Sequence, residues 1–565
     1  MNGSEAIIRA LLEEKVDNIF GFPGGAVLPL YDKFLDFKKE LRHILVRHEQ
    51  GAAHAADGYA RVSGKAGVCL ATSGPGATNL VTGIMTAYMD SVPVVALAGN
   101  VPTSLLGNDA FQETDMMGIT MPITKHNFQI RDSNKIRSTI KKAFLIALNG
   151  RPGPVFVDLP KDIQSNEVTK EENDLRIAGF KPVLQGHPKQ IQKAAEMILE
   201  SERPVVLAGG GVLIANACSE LMQLSELLNL PVATTFMGKG CFPETHPLCL
   251  GVVGMHGRKV ANYAIANSDL IIAIGCRFSD RITGNLKTFA SNAKIIHIDI
   301  DSAEIGKNVR ADLPIVGDAK PVLLQLIATI KIKAKKSSAW SEKMRRFIKE
   351  CDCSFDIAGN PIDPRKLMFE LGKALGDKDI LVTGTGQHQM FAAHFVKRTR
   401  PRTFISSGGA GTMGYGFPAA IGAKIAKPDA HVFDLDGDGS FAMVIQELAT
   451  CKEENIKVIP VIMNNAYLGM VRQWMELFFE KRYSAVHLKR TPDFAKVADA
   501  YGLQGIRVER DSEIAPALRQ ACKADETVVV DVIVNEEANI LPMFAAGASN
   551  TEMFGQCIKS KGVLF

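Results

Sequence analysis

His431-Val-Phe-Asp-Leu-Asp-Gly-Asp-Gly-Ser-Phe441, followed downstream by Met463-Asn-Asn-Ala-Tyr-Leu-Gly469, is the stretch that decides the fold. The apolar run His431–Leu435 has the length of a strand buried in a parallel sheet. It delivers Asp438 to the carboxyl end of that sheet, the edge at which open α/β folds bind ligands. Gly437 and Gly439 let the backbone approach a phosphate, and Ser440 offers hydroxyl and amide donors. A second strand, Lys457–Ile462, brings Asn465 to the same edge. One carboxylate and one amide oxygen suit magnesium, which takes oxygen ligands and is often shared with phosphates. Taken singly, Asp438-Gly439 is a turn and Asn464-Asn465 a loop. Together, each at a strand end, they describe a diphosphate–magnesium site.

Outward from this stretch, short apolar runs alternate with helix-period segments three times over, which predicts α/β architecture with three consecutive doubly wound parallel-sheet domains. The first domain covers 1–165, with strands at Asn18–Gly21, His43–Val46, Gly67–Ala71, Val92–Leu97 and Val155–Asp158. The second covers 187–330, with strands at Pro204–Ala208, Leu230–Ala233, Leu270–Ile274 and Lys294–Ile298. The third covers 363–535, with strands at Asp379–Val382, His431–Asp434, Lys457–Ile462 and Thr527–Val532, before a tail, 536–565. Polar stretches at Gln164–Asp174 and 331–362 read as linkers. Ser73-Gly-Pro-Gly-Ala-Thr78 and Ser407-Gly-Gly-Ala-Gly-Thr412 each precede a small-residue helix, a theme shared by the first and third segments.

Bulk properties exclude several classes. A net charge of +4 over 565 residues, with Lys and Arg scattered, gives no case for nucleic acid or an anionic membrane as partner. The one basic cluster, Lys331-Ile-Lys-Ala-Lys-Lys336, reads as a solvated run in a linker. Ten cysteines in a chain this long make no disulfide framework. Cys351 and Cys353 form a lone C-x-C without a second pair, and Cys69 lies in an apolar run. No signal peptide precedes Met1–Ala6 and no apolar run approaches the ~20 residues of a membrane span, so a soluble, cytoplasmic protein is expected.

GDG followed at this spacing by NN resembles the signature of thiamine-diphosphate enzymes. That resemblance implies thiamine diphosphate and Mg2+ as cofactors, with Asp438, Asn465 and the main-chain carbonyl of Tyr467 on the metal; many relatives have His, Glu or Gln at the last position. Arg47-His-Glu-Gln-Gly51, after the strand ending at Val46, holds a carboxylate at the start of a helix around Ala52–Ala60. By itself Glu49 is a helix-start residue. Thiamine chemistry, however, requires an acid beside the aminopyrimidine ring. Glu49 matches that family's catalytic glutamate in the form it takes in acetohydroxyacid synthases. The similarity extends through Gly21-Phe-Pro-Gly-Gly25, Thr72–Asn79, Asp109-Ala-Phe-Gln-Glu113, Arg151-Pro-Gly-Pro154 and His297–Ser302. It implies Gln112 near the reacting centre and a thiamine pocket of Gly25, Gly386, Gln387, His388, Met413, Gly437, Gly439, Ser440, Leu468, Gly469 and Met470.

Ala208-Gly-Gly-Gly211 lacks the G-x-G-x-x-G spacing and alone reads as a glycine-rich turn. Its surroundings resemble the FAD-contacting segments of acetohydroxyacid synthases, which implies FAD, held by Gly210, Gly211, Thr235, Met237, His256, Gly275, Arg277, Asp299 and Ile300 and structural in role. Ser279 stands where many members have Asp. Two residues implied to address substrate, Arg281 for a ketoacid carboxylate and Trp474 for 2-ketobutyrate preference, would otherwise read as a surface ion pair and core packing.

The resemblance implies condensation of pyruvate with a second 2-ketoacid, pyruvate or 2-ketobutyrate, with loss of carbon dioxide. It further implies a homodimer or larger assembly, whose sites pair the first domain of one chain with the third of another, and a separate small regulatory subunit. The alternatives are an FAD-dependent pyruvate oxidase or the catabolic acetolactate synthase without FAD, the latter opposed by His256, Arg277 and Trp474 in their contexts. A simple decarboxylase would show an adjacent histidine pair that is absent. A non-catalytic subunit would not need Glu49, Asp438 and Asn465 intact.

Overall fold

A computed structural model of the chain describes residues 1–172, 174–331, 339–350 and 357–555. Asn173 of the first linker, the basic cluster beyond Lys331, Cys351 with Cys353, and the tail from 556 lie outside the described residues.

Each domain is a six-stranded sheet in which every strand pair is parallel. The first contains β1 (Asn18–Gly21), β2 (Arg42–Leu45), β3 (Gly67–Ala71), β4 (Val94–Asn100), β5 (His126–Gln129) and β6 (Val155–Pro160), ordered β2-β1-β3-β4-β6-β5. The second contains β7 (Pro204–Ala208), β8 (Val232–Thr234), β9 (Cys249–Val252), β10 (Leu270–Ile274), β11 (Lys294–Asp299) and β12 (Leu313–Val316), ordered β12-β11-β10-β7-β8-β9. The third contains β13 (Ile380–Thr383), β14 (Phe404–Ser406), β15 (Val432–Gly437), β16 (Ile459–Asn464), β17 (Gln504–Val508) and β18 (Val528–Ile533), ordered β14-β13-β15-β16-β18-β17. The first and third sheets therefore wind identically, which the shared Ser-Gly theme anticipated. The second has the order of dinucleotide-binding domains, reversing between β7 and β10. The central strands β3, β4, β7, β10 and β15 are buried along their whole length. Helices cover both faces of such sheets, and each fully buried Val, Leu or Ile contributes about 1.5–3 kcal/mol.

The first and third domains share one core through two small-residue helices, Glu49–Ser63 and Gly416–Ala426. A Cβ at Gly58 would fall 2.1 Å from the Ala419 carbonyl oxygen, and one at Gly422 1.8 Å from that of Ala55, so only glycine permits this approach. Beside this seam Arg61 bonds Asp57 at 2.6 Å and Asp90 at 2.9 Å, and Tyr415 donates to Asp57 at 2.5 Å. Asp90 in turn accepts from the Gly408 and Gly409 amides at 3.0 and 2.7 Å, fixing the loop that leads to Met413. The second domain is docked by Arg151 on Asp301 and Glu304, and by Arg402 on the Arg61 and Leu213 carbonyls.

The second linker and the tail are both built into the fold. The second linker contains a helix, Ala339–Glu350, whose Trp340 and Met344 pack into the second domain. The tail crosses back to the second domain: the Phe544 amide donates to the Met255 carbonyl at 3.1 Å and the Asn285 amide to that of Ala548 at 3.0 Å.

Candidate active site

The third sheet reverses its winding between β13 and β15, and the crevice beyond those two strands is where such a fold takes a ligand. Gly386, Gln387 and His388 follow β13, Gly437 ends β15 and Asp438–Ser440 follow it. A Cβ on Gly437 would meet His388 Nδ1 at 2.8 Å, so only glycine fits here. Asn465 follows β16. Its Nδ2 donates to Gln387 Oε1 at 3.2 Å, and its Oδ1 accepts from the Tyr467 amide at 3.2 Å. A bridge joins Tyr467 to His487 through the Leu468 amide on Val486 and the Leu488 amide on Ala466, which leaves the Tyr467 carbonyl outside the bridge. The Tyr467 ring stacks on His487 at 4.5 Å, so the side chain is engaged away from the main-chain carbonyl.

Asp438 is 2% exposed. It accepts from the Gly439 amide at 3.0 Å and the Thr491 hydroxyl at 3.3 Å, and burial pushes its carboxyl up to about 7. Burial raises Asp436, behind it, to about 7 as well. His388 stands 3.4 Å from Asp436 Oδ1, and burial pushes its imidazole down to about 3. A buried carboxylate without a cation is costly. Asp438, the amide oxygen of Asn465 and the free Tyr467 carbonyl fit a divalent ion, and the glycine-lined loop fits its diphosphate.

In the second sheet the crevice lies beyond β7 and β10. Gly209–Gly211 and Gly275 meet there with their backbones in contact: a Cβ on Gly211 would come 2.6 Å from the Gly275 Cα. Asp299 ends β11, 8% exposed, and burial raises its carboxyl to about 6. His256 Nε2 is buried without a partner among the described residues. Bare glycine backbones, an acid one strand over and an unmatched imidazole nitrogen fit a dinucleotide such as FAD.

Arg281 and Trp474, from different domains, meet: the guanidinium sits 5.5 Å from the centre of the indole. Arg281 Nη1 also approaches Met255 Sδ at 3.5 Å, and Met255 packs with Met543 and Phe544 of the tail. Gln473 anchors that tail, accepting from the Ile540 amide at 2.9 Å and from Gln387 Nε2 at 2.7 Å.

One cavity of about 950 Å³ joins these parts. Its wall includes Gly386, Gln387, His388, Met413, Gly437, Asp438, Gly439, Ser440, Asn465, Tyr467, Leu468, Gly469, Met470 and Trp474 from the third domain. From the second it takes Gly210, Gly211, Thr235, Met237, His256, Gly275, Arg277, Arg281, Asp299 and Ile300. Gly25, Glu49 and Gln112 are not on this wall. They cluster instead at the carboxyl edge of the first sheet. There Asn79 Nδ2 donates to Glu49 Oε2 at 2.9 Å, Gly76 passes under Glu49 Oε1, Thr72 closes on Gly24, and Gly74 abuts Gln112. The cavity touches the first domain at Met89–Pro93, at Gly150–Pro152, and on the helix that Glu49 begins only at its far end, Ala60 and Arg61. Twelve residues of helix put Glu49 about 18 Å from that end.

Sequence reasoning assigned no role to Asn79, Asp90 or Thr491. Asn79 lay inside a quoted motif, whereas Asp90 and Thr491 gave no local signal; their partners stand 318 and 53 residues away.

The two matching sheets, each with a ligand edge, and a dinucleotide-type sheet between them define a thiamine-pyrophosphate enzyme. The chain matches the models of that family's N-terminal TPP binding domain over 1–119, central domain over 191–326 and C-terminal TPP binding domain over 384–532. It is 54% identical to a "probable acetolactate synthase large subunit" of Methanocaldococcus jannaschii, over 98% of this chain and 95% of the relative. Acetolactate synthase large subunits of Corynebacterium glutamicum and Cyanidium caldarium are 48% and 44% identical, over 98% of this chain and 90% and 96% of theirs. The chain belongs to the acetolactate synthase large-subunit family of thiamine-pyrophosphate enzymes.

Proposed function

We propose that the chain joins pyruvate to a second 2-ketoacid with loss of carbon dioxide, giving 2-acetolactate from pyruvate or 2-aceto-2-hydroxybutyrate from 2-ketobutyrate, as a step toward branched-chain amino acids. The observation that supports it most is the single cavity that unites the Asp438–Asn465 edge with the Arg281–Trp474 pair. Asp438, Asn465 and the Tyr467 carbonyl would hold Mg2+, and the Gly437–Ser440 loop the diphosphate. When bound, thiamine diphosphate supplies a nucleophilic carbon and an electron sink for decarboxylation. Glu49 supplies the carboxyl that shares a proton with the pyrimidine ring, and Gln112 lies beside the reacting centre. Arg281 binds the carboxylate of the second ketoacid and Trp474 walls its alkyl group.

FAD would lie along Gly210, Gly211, Gly275 and Asp299, as a structural element that does not cycle. Purified enzyme supplied with FAD should therefore form acetolactate from pyruvate without consuming oxygen, and a redox-inactive flavin analogue should support the same rate. Oxygen uptake matching pyruvate consumption would turn the reading to an oxidase.

The indole both shapes the alkyl pocket and supports the Arg281 guanidinium, a cation–π contact of about 0.5–2 kcal/mol. Trp474→Leu should retain acetolactate synthesis but lower the ratio of 2-ketobutyrate to pyruvate products about tenfold or more, one methylene being worth about 1–3 kcal/mol in such a pocket. KM for the second ketoacid should rise with it. Competition between the two ketoacids, scored by product ratio, measures this, and an unchanged ratio would make Trp474 packing alone.

A homodimer is the smallest unit this reading allows, because Glu49 and Asp438 of one chain stand at different places. The surface beside Gln112 supports it: Phe111 is 88% and Met121 69% exposed, large apolar side chains suited to cover by a second copy. A small regulatory subunit is the second partner we assign. Among the described residues no helix is long and apolar enough to cross a membrane, and the described cysteines are free thiols, which suits the cytoplasm.

A further inference from the structure

Glu447 opens the third-domain helix Glu447–Glu454 and is 0% exposed, yet it lines neither ligand edge. Its carboxylate faces the first domain. Both oxygens accept from the Arg47 amide at 3.1 Å. The Thr450 hydroxyl stands 2.8 Å from Oε2 and 3.1 Å from the Leu45 carbonyl, donating to one at a time. A Cβ on Gly51 would come 2.6 Å from Glu447 Oε1, so glycine there makes the room the carboxylate occupies. The same helix adds Glu453 on Arg47 at 2.5 Å, and Glu454 on the Leu45 amide at 3.2 Å and on Arg42 at 3.0 Å. One helix thus grips residues 42–47 from outside, and two residues further on stands Glu49.

Packing alone does not call for a carboxylate here, since burying one costs free energy that an apolar side chain would not. What the carboxylate does that an apolar group cannot is fix the Arg47 amide, and with it the direction in which the chain enters the Glu49 helix. Asn79 holds the Glu49 carboxylate from its own domain; Glu447 holds the backbone that presents it. We propose that Glu447 is a positioning residue for Glu49, supplied by the third domain of the same chain. The proposal rests on Glu49 as the proton-handling carboxyl and goes beyond it in one respect. In a shared-site dimer, the Glu49 of a chain serves one active centre and its Asp438 the other. The helix that begins nine residues after Asp438 would then tie the two centres together.

The test uses the isosteric Glu447→Gln, which keeps the shape but loses one of the two acceptors, in the full enzyme with thiamine diphosphate and Mg2+. A misplacement on the order of 1 Å can cost about 100-fold, so C2 proton exchange and kcat should fall together by about tenfold or more. KM for pyruvate and the melting temperature of the cofactor-free protein should stay put. Two tagged mixed dimers then say where the lesion acts. Glu49→Gln and Glu447→Gln on one chain, paired with a wild-type chain, should leave one intact site and about half activity. The same two substitutions on opposite chains should spoil both sites. The reverse pattern would assign Glu447 to the Asp438 loop and overturn the proposal. Equal loss in both pairings, or unchanged exchange in Glu447→Gln, would overturn it too. If Glu49→Gln itself leaves exchange unchanged, or if a Glu49→Gln and Asp438→Ala mixed dimer is inactive, the failure lies in the reading of the site instead.

Discussion

Glu49→Gln is expected to fold normally, bind Mg2+ and thiamine diphosphate, and slow C2 proton exchange of the bound cofactor by about 10²–10⁴-fold, the range general acid–base groups contribute. The structure explains why the effect should be chemical. Glu49 is the first residue of its helix, 8% exposed, behind the His48 cap. Glutamine has the same shape, and its side-chain oxygen can still accept from Asn79 Nδ2 as Glu49 Oε2 does at 2.9 Å. The helix begins as before, and the diphosphate edge is in another domain. What glutamine cannot do is share an acidic proton with the pyrimidine ring. Exchange of the C2 proton for deuterium, followed on acid-quenched enzyme, measures this step without requiring turnover. A rate equal to that of the unaltered enzyme would remove Glu49 from the mechanism.

The parts of the fold that were legible in the sequence are those whose environment is uniform. Gly67–Ala71, Pro204–Ala208 and Leu270–Ile274 are apolar runs buried on both faces, and each is a strand with the expected limits. The five strands that left no readable pattern, β5, β9, β12, β14 and β17, all lie at sheet edges. An edge strand is half covered, so its side chains need not be apolar: His126–Gln129 has no fully buried residue, and Gln504–Val508 has one. Cys249–Val252 and Phe404–Ser406 are buried but only four and three residues long, too short for periodicity to show.

The site divides in the same way. The candidate ligand-binding residues sit in glycine-rich turns at strand ends, and such turns carry their own sequence signature, so the Gly437–Ser440 loop was legible as a candidate from local sequence and Glu49 from its motif. Residues that hold the domains in register do not. Asp90 ends a helix and drew no reading from the sequence; the loop 318 residues later brings two amides onto it. Lys239, to which sequence reasoning gave no role, is 2% exposed, paired to Glu244 at 2.6 Å and bonded to the Ala393 carbonyl of the third domain. Their meaning depends on contacts that only the folded chain creates. The tail was similarly opaque: nothing in Ala538–Phe544 announces that Gln473 and Met255 will hold it across two domains.

The separation of Glu49 from the cavity leads to the second large expected effect. Asp438→Ala removes the carboxylate proposed to hold the metal, so this variant, like Glu49→Gln, should be nearly inactive alone. A mixed dimer of the two should recover about half the wild-type activity. Within one chain, the cavity reaches the Glu49–Ser63 helix only at its carboxyl end, about 18 Å by helical rise from the residue that opens it. The shared core between that helix and Gly416–Ala426 admits no slack, because Gly58 and Gly422 already bring backbone onto backbone. A hinge inside the chain is not expected to carry Glu49 to Asp438, and under the proposed function a second copy supplies it. Two-fold symmetry then gives two equivalent sites, each with Glu49 from one chain and Asp438 from the other. Pairing the two variants concentrates both lesions in one site and leaves the other whole. Co-expression with separable tags isolates the heterodimer, and activity per dimer against both parents is the measurement. A correctly assembled heterodimer without activity would place both residues of each site in one chain, and the rigid seam between the two helices would then have to open in the working enzyme.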